Sequence, residues 1–221
     1  MYKSYFFLEG PLGSDAFATG GAAAAAALQA AVPEAVGYTQ TRTLAEQIAA
    51  DAAPLYTGVA ELWFATPEAA LNSATQAAAL APLLAGETRI GPILTGMART
   101  VMLLPRFYDG GLMKGVFPFR RQARLSVADF QRYWWQNHGP IAARTEQAVF
   151  YLQCHPLAAT YARGRPPYDG VTELHWPDVA AARAAMASRQ MLEDQSRDAQ
   201  NFAEAGSVAL FLAVEETVIA P

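Results

Sequence analysis

Tyr56–Phe64 reads Y-T-G-V-A-E-L-W-F, and Tyr168–Trp176 reads Y-D-G-V-T-E-L-H-W. The two stretches lie 112 residues apart in a chain of 221. A second pair sits upstream of each: Tyr38–Ala45, Y-T-Q-T-R-T-L-A, and Tyr151–Ala158, Y-L-Q-C-H-P-L-A, 113 residues apart. Ala98–Leu104 and Ser207–Leu212 form a fainter third echo. Self-similarity at a fixed offset signals a repeated unit, whereas chance matching in a biased composition would not keep the blocks in order. The spacing predicts two copies, residues 1–107 and 111–221. They would join through Pro105–Gly111, P-R-F-Y-D-G-G, which has linker composition.

Each copy reads as β-α-β-β-α-β. In the second, Leu112–Arg121 is strand-like, and Ser126 with Asp129 three residues on has the spacing of a capped helix start. Phe130, Trp134 and His138 recur every four residues and share one helix face, before Gly139-Pro140 bends or ends the helix. Strands at Phe150–Gln153 and Val171–Trp176, helical runs from Pro177 and from Met191 to Phe202, and a strand at Ser207–Glu215 complete the copy. The first copy maps on as strand Tyr2–Leu8, helix Asp15–Ala31, strands Val36–Thr43 and Val59–Phe64, a helix started by Thr66-Pro67-Glu68, and strand Arg99–Leu104. The fold class expected is α+β: two ferredoxin-like repeats, each an antiparallel sheet with helices on one face. The bare faces would cover one another, sheet against sheet, around an apolar interior.

Composition narrows the function. Hydrophobic residues make up 52% and charged residues 16% of the chain. That charged share is below the roughly 25% of an average domain, so a packed core is expected. The net charge is −4, and Lys3 and Lys114 are the only lysines, which excludes a basic nucleic-acid footprint. Cys154 is the single cysteine, so neither an intrachain disulfide nor a multi-cysteine metal site can form. No apolar run reaches the ~18 residues of a membrane span. Glu9, Gly10, Pro11 and Asp15 interrupt what a signal peptide needs as an apolar core, so a cytoplasmic chain is expected.

Met113–Ala142, M-K-G-V-F-P-F-R-R-Q-A-R-L-S-V-A-D-F-Q-R-Y-W-W-Q-N-H-G-P-I-A, joins a strand, an Arg-rich turn and an F-x-x-x-W-x-x-x-H-x-P helix. With the Y-x-x-x-H of Tyr151 and His155 and the Y-D-G-x-x-E-x-x-W of Tyr168–Trp176, the second copy resembles the EthD family of the dimeric α+β barrel group. The first copy is a degenerate relative, with Ala22–Ala27 where Trp134 and His138 would stand. The resemblance implies a fused, intrachain version of a barrel that single-domain relatives build as homodimers. It also implies a small apolar or aromatic molecule as ligand, and acid/base chemistry without a cofactor, of lyase, cyclase or isomerase type. Two alternatives come with it: a non-catalytic accessory protein of an oxygenase or ether-degradation system, and a haem-binding oxygenase or peroxidase.

The candidate site residues all lie in the second copy. His138 is either a helix–sheet hydrogen-bonding residue or an acid/base group. His155 is either a surface histidine or the base; if Tyr151 faces the interior, Gln153 and His155 do too. Glu173, matched by Glu61, reads as a salt-bridge anchor or as a carboxylate tuning an imidazole. Either it and His175 line the cavity, or they face the helices. Tyr151, Trp134, His175, Trp176 and Phe117 are the expected substrate-binding residues. No H-x-H or H-E-x-x-H spacing marks a metal site, and neither a G-x-G-x-x-G turn nor a G-x-S-x-G elbow occurs. Cys154 and His155 are adjacent on a strand and would point apart. A homodimer of tandem chains is the expected assembly, meeting through strand edges or helix faces.

Overall fold

The computed structural model describes residues 1–48, 53–103, 112–162 and 164–221. The expected linker lies outside the described residues. Eight strands run in chain order: β1 Tyr2–Glu9, β2 Gly37–Thr43, β3 Gly58–Phe64, β4 Arg89–Leu103, β5 Met113–Phe119, β6 Phe150–Pro156, β7 Gly170–Trp176 and β8 Phe211–Ile219. They close into an antiparallel barrel ordered β1-β3-β2-β8-β5-β7-β6-β4, with β4 returning to β1. Each half contributes its strands in the sequence fourth, first, third, second.

The expected barrel is present, but its two sheets are not merely stacked face to face. The halves join at both edges, β2 with β8 and β4 with β6, into one continuous closed sheet. Closure satisfies the edge N–H and C=O groups that stacked sheets would leave open. It also removes the barrel edges as a surface for the expected homodimer, leaving the helix faces of the two surfaces considered.

Closure explains two displaced strands. β8 begins at Phe211 rather than Ser207, because Ala209 N–H is tied to the Pro118 carbonyl ahead of the ladder. It runs on to Ile219 because β2 pairs with it as far as Tyr38. β4 is fifteen residues long: its first part pairs with β1 and its last part with β6. Gly91 and Pro92 hide its start in the sequence, and the β1–β4 register shifts opposite them, where a bulge tolerates proline.

The helices lie outside the barrel. α1 spans Gly21–Ala31, shorter than expected, because Asp15 Oδ1 accepts the Phe17 N–H at 3.0 Å and Phe17 bridges to Leu84. α2, Pro67–Thr75, starts with Thr66 accepting the Ala69 N–H at 3.3 Å. α3, Val127–Tyr133, starts with Ser126 accepting the Asp129 N–H at 3.0 Å. α4 is Gly139–Ala142, α5 Ala158–Tyr161, α6 Val179–Met186 and α7 Ser196–Ala199. No helix among the described residues is long and apolar enough to cross a membrane.

Both faces of the strands are covered. Tyr5, Phe7, Val59, Leu94, Val116, Leu152, Cys154, Val171 and Phe211 fill the barrel interior. Beneath the first-half helices, Phe6, Leu8, Tyr38, Leu62 and Phe64 pack on Ala24, Leu28 and Val32. Both lysines of the chain lie inside the barrel. Lys3 Nζ sits 2.5 Å from Glu61 Oε2 and 2.5 Å from Glu173 Oε1. Lys114 Nζ sits 2.7 Å from Glu61, 3.1 Å from Glu173 and 3.0 Å from Glu215. Tyr5 also donates to Glu173, and Thr41 to Glu61. Burial would raise the Glu173 carboxyl, but the Lys114 and Lys3 ammoniums outweigh it and hold it well below the usual range.

Candidate active site

A cavity of about 290 Å³ opens between the second-half sheet and its helices. The outward faces of β5 and β7 supply Phe117, Phe119, Thr172 and Leu174. Trp134, His138, Gln195 and Phe202 close it from the helix side.

Two wide helical turns position those residues. Pro140 lacks an N–H, and the Gly139 N–H bonds back to the Trp134 carbonyl, so Trp134–His138 forms a π turn. The helix therefore widens and continues as α4, instead of ending at Gly139-Pro140. A second π turn, Gln190–Gln195, brings Met191 and Gln195 to the same cavity.

His138 is the ionisable group in this wall. Its Nδ1 lies 2.9 Å from Asp198 Oδ2. Tyr133 donates to the other carboxylate oxygen at 2.7 Å, and Asn201 Nδ2 lies 2.9 Å from the Tyr133 oxygen. A carboxylate only accepts, so Nδ1 carries the proton and Nε2 presents a lone pair. Nε2 has no hydrogen-bond partner among the described residues. Burial pushes the His138 pKa below its ordinary value, with Asp198 opposing. The neutral imidazole is thus the resting form at neutral pH. Phe202 packs on its ring at 4.7 Å.

The other expected site residues lie elsewhere. His155 does not line this cavity; its ring packs on Trp134 at 4.4 Å. Its Nε2 donates to Gln153 Oε1 at 2.9 Å, and its buried Nδ1 has no partner among the described residues. Tyr151, Gln153 and His155 therefore face the helices, since Leu152 and Cys154 occupy the interior face of β6. Tyr151 accepts from Gln153 at 2.6 Å. Trp176 is on the outward face but packs on Ala181, Ala182 and Ala185, with its indole N–H donated to the Glu146 carbonyl at 3.2 Å. Glu173 and His175 point into the barrel. Cys154 and His155 point to opposite faces, and burial pushes the Cys154 thiol far up. Of the eight expected residues, the cavity gathers His138, Trp134 and Phe117. Asp198, Tyr133 and Gln195 were missed. They sit in a polar helical run, or off the Phe130–Trp134–His138 stripe, where local periodicity gives no sign of pairing.

Burial, and secondarily Arg99, pushes His155 down to about 3. A histidine depressed in the fold contributes stability that is complete above its unfolded pKa near 6.5 and is lost as pH falls through the folded value. His138 and His175 are shifted the same way. Acid titration followed by circular dichroism should show destabilisation beginning near pH 6. His155→Gln should move the acid midpoint to lower pH. An unmoved midpoint would show that His155 does not drive the transition.

Gly170 opens β7 beneath Trp134. A Cβ there would stand 2.8 Å from Trp134 Cζ3 and 2.9 Å from Phe119 Cζ. Gly170→Ala should cost about 1–3 kcal/mol by overpacking and shift the tryptophan emission. An unchanged melt and spectrum would mean the indole can yield.

Among the described residues, no group of three or more His, Cys, Asp or Glu is placed to hold a metal ion. The His138 nitrogen is of the type that ligates a haem iron. However, about 290 Å³ is at the lower end for small-molecule sites, and a tetrapyrrole would have to displace the lining aromatics. The residues present do not fit that group.

The closed barrel with external helices is the dimeric α+β barrel architecture. An anthrone oxidase-like protein superposes at TM-score 0.57 with 10% identity, over 98% of this chain and 93% of its own. A mutant chlorite dismutase of Candidatus Nitrospira defluvii gives 0.56 with 10% identity, over 100% and 91%. A monooxygenase-like protein of Lactobacillus acidophilus gives 0.50 with 7% identity, over 100% and 98%. At such identities the likeness concerns the fold. No curated protein matches the chain in sequence. Residues 122–206 match the EthD domain family model, and the cavity is built largely within that stretch.

Proposed function

We propose that the chain is a cofactor-independent acid/base enzyme. It would act on a small aromatic or polyketide-like molecule by proton transfer leading to elimination, cyclisation or isomerisation. One observation carries this reading: an imidazole with a fixed tautomer, His138 on Asp198, in the wall of a cavity otherwise lined mainly by apolar side chains. Nε2 takes the substrate proton. Asp198 holds the ring and favours the imidazolium that forms. Trp134, Phe117, Phe119 and Phe202 provide the aromatic walls. His155 supports Trp134 from behind and leaves the acid/base role to His138.

We also propose that residues 1–107 and 111–221 are copies of one unit, the second owning the site. Residues 112 apart meeting inside the barrel support this. The Tyr56 and Tyr168 hydroxyls are 2.5 Å apart, and Glu61 and Glu173 share both lysines.

The test is deuterium incorporation from D2O into a panel of hydroxynaphthalenes and bicyclic β-ketones, which reports proton abstraction whatever bond changes next. The unmodified protein should catalyse exchange. His138→Gln should lose it by roughly 10²–10⁴-fold while still binding the ligand. Binding without exchange in the unmodified protein would make it an accessory binder. A Soret band after incubation with haem would favour the oxygenase reading.

A further inference from the structure

A second cavity, separate from the one beneath the helices, opens at one end of the barrel, bordered there by Leu103, Leu112 and Val149. It has a volume of about 300 Å³ and is lined by inward side chains of β1, β2, β3, β6, β7 and β8. Tyr56, Tyr168, Phe7 and Phe211 pack together elsewhere in the barrel interior, and none of them lines this cavity. Trp63 and Phe150, both half-buried, supply aromatic walls.

Its polar groups are mostly acceptors. Glu61, Glu173 and Glu215 face Lys3 and Lys114, leaving one carboxylate in excess beside a neutral His175. The lysine ammoniums are already committed to carboxylates, and Lys3 also sits 4.4 Å over the Trp63 ring. Glu215 is the part-exposed member, 27% accessible, whereas Glu61 and Glu173 are sealed. His175 is 6% exposed, and its Nε2 has no hydrogen-bond partner among the described residues. Glu173 Oε2, 3.9 Å away, is too distant to serve. An orphaned buried polar atom of this kind calls for an explanation, such as a bound water, ion or other polar group.

We propose that this cavity is a binding site for a small organic monocation, an ammonium or guanidinium on a short apolar body. The ligand's N–H groups would bond to Glu215 and to His175 Nε2, with the Nδ1–H tautomer selected. Its apolar body would lie against the Trp63 and Phe150 side chains that line the cavity. A monocation also balances the excess carboxylate, and an anion would worsen it.

Benzylamine, benzyl alcohol and benzoate have one shape and three charges, and each can be titrated calorimetrically into the full chain at pH 7.5. Benzylamine should bind, and the alcohol and the acid should bind at least roughly tenfold more weakly, because hydrogen bonds to charged groups are the strong ones. In NMR, the Trp63 indole signal, assigned by Trp63→Phe, should move and the Trp134 signal should not. Glu215→Gln should weaken benzylamine by a similar factor without altering deuterium exchange in the other cavity. Equal binding of amine and alcohol, tighter binding of benzoate, or movement of Trp134 alone would overturn the proposal. The titration of the unmodified protein decides the matter even if the variant misfolds.

Discussion

Lys114→Met is expected to lower the unfolding free energy by about 3–5 kcal/mol, the cost of stripping one partner from a buried ion pair. The ammonium is buried and bonded to three carboxylates, and those contacts, led by Glu173, raise its pKa despite burial. Methionine has similar length and leaves little void, so the loss is electrostatic. Lys3 alone would then face Glu61, Glu173 and Glu215. For a chain of this size the melting temperature should fall by roughly 10 °C. Adding Glu173→Gln should cost less than the two single changes summed, because it removes one of the stranded charges. Calorimetry of the four proteins checks this, and strict additivity would show that the charges do not act as one network. Salt should not rescue the single variant, since the network is shielded from solvent ions.

The second large effect is expected at Asp198→Asn. The amide keeps the shape of the side chain but removes the charge that orders the tautomer of His138. Proton-transfer turnover should drop roughly 10²–10⁴-fold, with KM nearly unchanged because Asp198 does not line the substrate cavity. A pH profile separates positioning from general damage. His138 must be neutral to act, so the rate falls as pH drops through its pKa, already below the ordinary value. Asp198 pulls that pKa upward, so the acid limb should move to still lower pH in the variant. A lower rate with an unmoved limb would assign Asp198 a purely structural role.

The succession of strands and helices along the chain was largely legible, because the two similar blocks carry tyrosine, glycine, valine and glutamate at matching positions. Helix starts were legible too, at Ser126 and Thr66, because capping is local chemistry. The barrel itself was implied by the family resemblance, but the edge pairings that close it were not legible. The β2–β8 and β4–β6 pairs join residues far apart, and nothing in a local window marks them. The face of β6 was also hidden. Leu152 and Cys154 point inward, Tyr151, Gln153 and His155 point outward, and both sets are buried, so alternation carries no polarity. His138 could be named from its helix stripe, but its partner Asp198 lies 60 residues on, in a run of polar residues that reads as solvated. The ion network was half legible: Glu173, matched by Glu61, read as a salt-bridge anchor, but the lysine partners lie 53 to 170 residues away, where no local window shows the pairing.

The seam between β2 and β8 has a consequence for how the chain reaches this state. Tyr38 pairs with Ile219, so the ring cannot shut until nearly all of the chain is available. Pairings this distant in sequence carry a large loop-closure entropy and slow the search. Until β8 arrives, β2 keeps an open edge during synthesis, while Lys3 waits for Glu173, 170 residues on, and Glu61 for Lys114, 53 residues on. The nascent N-terminal half is therefore the stage most exposed to chaperone capture and to mispairing with a neighbouring chain.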